Sequence, residues 1–433
     1  MKFASTRGSA HRAGLAEAIS GGFAPDGGAW QPLEDSSLRH LFLLMSRDIP
    51  YPELLARIAG SIADLPLTPG VLSRSSALQP TLGELEDGIA LMDLTGGPSG
   101  SFRDYGSAFI ADVLSLVAAR GDRPVTAIVA STGDSASAAA WHLSGVPGLR
   151  LAILFPDGPV RGVPRGAVES GAVLPVRVRG GYAECQALVR HAFSDQALVA
   201  RLGLVPVNSI NVGRLVAQAM PFVYAFSRLR PEAGDFFFSI PAMNAGNLIA
   251  GLYAWKWGLP ITGFVSPVRE GDLIVTCLAS SCSPSDKDAL RKFLSEFGNP
   301  ENAERLNALI AGAPGLMRAL LHPVELEESE ERRAARELWE ASRIHLGPYG
   351  ISSYAAARRL KGRLIELGGK IVCVSLNHPS RYAERIREWT GSAPEVPERL
   401  AWILKEVEAP CIIDADIGAL AAVLDGFVGG GAG

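Results

Sequence analysis

The chain has 433 residues, 48% of them hydrophobic, enough for two or three domains around a large apolar core. A net charge of −4 offers no basic surface to nucleic acid or an anionic membrane, and neither is expected as a partner. The amino terminus, MKFASTRGSAHRAG, has no apolar run of signal-peptide type, and no uninterrupted apolar stretch is long enough to span a membrane, so a cytoplasmic protein is expected.

In chain order, residues 1–85 read as a helical domain that closes at the Pro/Ser/Leu stretch PLTPGVLSRSSALQP (66–80). The segment GGPSGSFRDYGSAF (96–109) follows, a Gly/Pro/Ser turn running through Phe102, Arg103 and Asp104 into a helix with Phe109, Val113 and Leu116 on its apolar stripe. From there strand and helix alternate. VTAIVA (125–130) is a strand, STGDS a turn, 135–144 an Ala-rich helix, and LRLAILFP (149–156) and VLPVRV (173–178) are strands. Helices are predicted over 182–193, 212–229 and 247–258, with strands at FFFSIP (236–241) and ITGFVSP (261–267) between and after them. A second boundary falls between Pro267 and Pro284, VELEESEERRAARELWEASR (324–343) reads as a solvated amphipathic helix, KIVCVSL (370–376) is a last strand, and the Gly-rich tail GFVGGGAG is expected to fray. Such alternation predicts an α/β fold with parallel sheets covered on both faces.

Cys185, Cys277, Cys282, Cys373 and Cys411 stand without a CxxC pair or zinc-type spacing, so reduced thiols and no metal site are expected. Two strand–loop–helix junctions carry polar groups where free backbone N–H groups collect. One holds Ser131, Thr132, Asp134 and Ser135, the other Asn244 and Gly246. Helix N-termini attract anions, although the same residue types are ordinary caps. Between Lys2 and Lys256 there is no lysine, so the first half of the chain holds no side-chain amine able to form an imine.

Taken together, STRG (5–8), GFAPDGGAWQP (22–32), GPSGSFRDYGSAF, STGDS, AECQALVRHAF (183–193), NSINVGRLVAQ (208–218), IPAMNAGNL (240–248) and NHPSRY (377–382) make the chain resemble the threonine synthases, a branch of the fold-type-II pyridoxal-phosphate enzymes. The resemblance implies the tryptophan-synthase-β-like architecture. A smaller α/β subdomain is expected over about 110–215, and a larger one is made of 86–109 and 216–433. It also implies a Schiff-base lysine where this chain has Arg103. A guanidinium, with a pKa above about 12, has no lone pair to offer an aldehyde but can hold an anion. Lys256 would lie ~15 Å along its helix from the phosphate end, at 1.5 Å per residue. Lys287, Lys292, Lys361, Lys370 and Lys405 fall in surface-like contexts.

Other implied cofactor positions depart as well. In the phosphate cradle Asn244 and Gly246 match, but Met243 is bulky; at the hydroxyl that meets the pyridine nitrogen stands Leu376. On the substrate side Asp104, Asp134, Asn208, Asn211, Arg214 and Gln218 match, as does His378, which is expected to be structural. Pro159 replaces a substrate-phosphate lysine, with Arg161 nearby, and Gly347 and Tyr349 replace an acid and a histidine. The expectation is a threonine-synthase-like pseudoenzyme with no cofactor, whose cleft takes a small anionic or amino-acid-like metabolite, or a protein partner. The alternatives are an active threonine synthase that uses pyridoxal phosphate on O-phosphohomoserine, and different chemistry in the same cleft.

Overall fold

The computed structural model describes residues 3–33, 38–44, 47–119, 125–232, 234–241, 244–269, 272, 274–275, 278, 300–365 and 368–429. Two sheets organise the chain. The smaller has five parallel strands in the order Leu204–Pro206, Val125–Ala130, Leu149–Phe155, Val173–Val178 and Cys411–Ile413. Its central strands are apolar on both faces, as a parallel sheet covered by helices requires. The larger has six strands in the order Leu321–Glu325, Gly263–Val268, Phe236–Ser239, Lys370–Ser375, Ile89–Asp93 and Thr81–Glu86, with only the last antiparallel.

The helix Arg103–Ala118 leads from the larger sheet to the smaller and packs on Val212–Leu229, a helix between the layers that is buried from Val212 to Ser227. Gly106 permits their approach, since a Cβ there would stand 3.0 Å from Arg214 Cα. Both sheets send the carboxyl ends of their strands toward one cleft, where ligands of open parallel sheets bind.

Several expectations need correction. The first 85 residues hold, besides helices, a three-stranded antiparallel sheet of Phe3–Ser5, Gly8–Ala13 and Trp30–Pro32. These strands are too short, and too poor in β-branched residues, to show a period of two. Residues 324–343 divide into the end of the strand Leu321–Glu325 and the helix Glu328–Ser342. Within the tail, residues 426–429 continue the helix Ile417–Gly429, which buries Leu420 and Leu424 against Cys185, Leu188 and Val189, and residues 430–433 lie outside the described residues. That helix and Cys411–Ile413 return to the smaller sheet, whereas the division expected from the resemblance places all of 216–433 in the larger subdomain. Cys277, Cys282, Met243, Lys287 and Lys292 lie outside the described residues.

Candidate functional site

A cavity of about 180 Å³ opens between the sheets. Its wall combines Arg103, the junction of Ser131, Thr132, Asp134 and Ser135, Asn208 and Arg214, the junction of Asn244 and Gly246, and Leu376. Sequence reasoning therefore named most of the wall.

Arg103 is the first residue of its helix, after a tight turn that needs Gly100 at φ +63°. Its Nη1 donates to Ser101 Oγ (3.2 Å), Asp134 Oδ2 (3.2 Å) and Asn377 Oδ1 (3.3 Å), and the guanidinium lies 4.8 Å from the Phe102 ring centroid. Asp134 opens the helix Asp134–Leu143 and also pairs through Oδ1 with Arg381, whose Nη1 donates to Ser99 O at 2.7 Å. Asn377 Nδ2 donates to Asp134 Oδ2 at 3.3 Å and to the Tyr382 hydroxyl at 2.9 Å. Burial alone would raise the Asp134 carboxyl, but Arg103 and Arg381 outweigh it and hold it below the usual range.

Arg214 is different. It is 4% exposed, forms no ion pair among the described residues, and makes a single long bond, Nη1 to Val207 O at 3.4 Å, leaving Nε without a partner. Burial, then the charge of Arg103, brings its pKa down to about 9, so it remains a cation at neutral pH. Asn247, 4% exposed and on the same wall, has both side-chain amide atoms unpartnered. Tyr182 also lines the cavity; burial raises its hydroxyl pKa above the ordinary value, outweighing the nearby charges of Arg103 and Arg214.

Two expected site residues lie off the wall. Asp104 is fully buried beneath it, accepting from Ser99 N at 3.0 Å and meeting His142 Nε2 at 3.1 Å. Asn211 caps the helix Val212–Leu229 through Gly213 N at 2.9 Å and donates to Ile19 O and Pro206 O, both at 2.8 Å. Ser131 lines the cavity, but its Oγ is already used, accepting from Gly133 N and Ala136 N. Sequence reasoning missed Tyr182, Gln186, Asn247, Asn302, Asn377 and Arg381 as site residues. Gln186, Asn247, Asn377 and Arg381 stood inside segments that carry the resemblance, AECQALVRHAF, IPAMNAGNL and NHPSRY, whereas Tyr182 and Asn302 stood outside them.

A bound pyridoxal phosphate would need an amine, a partner for its ring nitrogen and a phosphate cradle. The cradle end is present: Asn244 and Gly246 flank Ala245, which opens the helix Gly246–Lys256 in the left-handed region at φ +56°, and Asn302 Nδ2 fixes Asn244 O at 2.9 Å. Leu376 offers the ring nitrogen no polar group. Among the described residues no lysine lines the cavity. Lys256 ends its helix, Lys361 pairs with Asp87, Lys370 with Glu84, and Lys405 is exposed. The described residues do not fit an imine-linked ring.

A model of the pyridoxal-phosphate dependent enzyme family matches residues 72–376. The threonine synthase of Serratia marcescens is 30% identical over 324 residues, 74% of each chain, and that of Escherichia coli (strain K12) is 29% identical over 331 residues, 75% of each. The crystal structure of the Escherichia coli threonine synthase superposes with a TM-score of 0.81 at 24% identity, covering 98% of this chain and 99% of that one.

Proposed function

This chain belongs to the pyridoxal-phosphate dependent enzyme family, in its threonine-synthase-like branch, and on that premise we propose that it binds a small anionic metabolite in the inter-sheet cleft without imine catalysis. Arg214 carries the proposal. A buried guanidinium with no ion-pair partner among the described residues, opposed only by the more distant charge of Asp104, is costly in the free protein, and an anion in the cleft supplies the missing contact. The N–H groups of Asp134 and Ser135, in the first helical turn without intrahelical acceptors, and the amide of Asn247, unpartnered among the described residues, provide further polar contacts. Arg103 supports the second half of the proposal, because its guanidinium has no lone pair for an aldehyde.

Likeness to threonine synthases along most of the chain favours a second reading, an active threonine synthase that holds its cofactor non-covalently. One set of measurements separates the two. Purified protein is incubated with pyridoxal phosphate, reduced with borohydride and weighed by intact mass spectrometry. Separately, it is assayed for phosphate release and threonine formation from O-phosphohomoserine. The proposal expects no stoichiometric adduct and no turnover, together with a rise in Tm on adding inorganic phosphate that Arg214→Met abolishes. Turnover would overturn it in favour of the second reading, and a phosphate response untouched by Arg214→Met would remove its anion site.

A further inference from the structure

Asp134 belongs to the five-stranded layer, opening the helix that follows Val125–Ala130. Its partners Asn377 and Arg381 belong to the segment leaving Lys370–Ser375, inside the six-stranded sheet, and Arg103 opens the helix joining the two layers. One carboxylate on the cavity wall thus ties the layers together.

The chain beyond Arg381 continues this tie. After the helix Ala383–Thr390, the 3₁₀ segment Glu398–Leu404 brings Trp402 onto Trp141, ring centroids 5.6 Å apart and planes inclined by 29°. Trp141 lies on the same helix as Asp134, two turns further on. Glu406–Val407 then pairs antiparallel with Val160–Arg161, Arg161 meets Glu406 at 2.5 Å, and Cys411–Ile413 joins the smaller sheet. Residues 377–413 therefore run as a strap from one sheet to the other, pinned at Asp134 and at Trp141.

We propose that the Arg103–Asp134–Arg381 cluster is a latch that holds this strap down and keeps the cleft closed, a role open to position 103 because it is arginine. One Arg103 nitrogen reaches Ser101, Asp134 and Asn377 together, and an amine committed to an imine would not be free for this pairing. Side-chain exposures of 14% for Arg103, 10% for Arg381 and 31% for Asp134 place the cluster where solvent screening is incomplete, unlike the exposed pair Arg161–Glu406 at 53% and 57%. An anion entering the cleft competes with Asp134 for Arg103. The latch itself does not depend on which anion that is.

Hydrogen exchange of the full, ligand-free chain tests it. In Asp134→Asn, and separately in Arg103→Met, amides of 398–407 are expected to exchange at least tenfold faster, while the strand Leu149–Phe155 keeps its protection. The far-UV exciton signal of the stacked indoles, identified by its loss in Trp402→Phe, should weaken in both variants. Because the two residues act on one contact, the double variant should exchange no faster than the faster single one. Arg381→Lys, which keeps the charge but shortens the reach, should be intermediate. Unchanged exchange in the strap, additive effects, or equal acceleration in Leu149–Phe155 would each overturn the latch, and none of them bears on anion binding by Arg214.

Discussion

Arg214 and Arg103 are two guanidiniums on one cavity wall with different energetics, because Arg103 forms an ion pair with Asp134 and Arg214 forms none among the described residues. Replacing Arg214 by methionine, similar in length and apolar, removes a buried charge that has no ion-pair partner among the described residues, so Arg214→Met is expected to stabilise the ligand-free protein by about 1–3 kcal/mol in urea unfolding. Truncation at His142 works the other way. It leaves Asp104 Oδ1 buried without its partner, and His142→Ala should destabilise by about 2–3 kcal/mol in the same measurement. His378 adds a pH dependence. Burial, with Arg399 and Arg381 beside it, lowers its pKa to about 4, while its ring nitrogen accepts from Ser380 N. Between that value and its unfolded value near 6.5 the unfolded chain binds more protons, so stability is full above ~6.5 and falls as pH drops toward 4. Urea midpoints at pH 7 and pH 5 should differ less in His378→Gln than in the parent.

Among the elements, the helices were the most legible, because apolar faces at helical spacing are local. Val212–Leu229 and Tyr182–Ser194 begin where the sequence predicted and end there or one residue beyond. Caps and strand ends depend on finer geometry. The helix Glu328–Ser342 ends on Arg343 in the left-handed region at φ +59°, a position that favours glycine. Arg343 also covers the Trp339 ring at 5.3 Å, an exposed contact of about 0.5 kcal/mol, against about 1 kcal/mol or more of backbone strain. Arg343→Gly should therefore raise stability by about 0.5 kcal/mol in denaturant unfolding.

At the level of the molecule, the carboxy-terminal strand and helix matter more than their distance along the chain suggests. Cys411–Ile413 covers the edge of Val173–Val178, and Ile417–Gly429 covers Cys185, Leu188 and Val189. Removing residues 409–433 should expose both the sheet edge and this apolar face. Strong binding of an apolar dye, with aggregation on expression, is the expected result.

Position 103 shows what the sequence determined by itself. That Arg103 has no lone pair for an aldehyde follows from its covalent structure wherever it sits, and the order of motifs from STRG to NHPSRY carried the fold class. Most of the cavity wall was legible because helix starts announce their polar groups locally. Only the tertiary structure decided what those groups do: it sank Asp104 onto His142, gave Asn211 to a helix cap, left Arg214 without an ion pair among the described residues and brought Arg381 to Asp134. The physical reason is range. Hydrogen bonding at a helix end is settled within a few residues, whereas the Arg381–Asp134 ion pair joins residues 247 apart in the chain, and only the packing of two sheets places them.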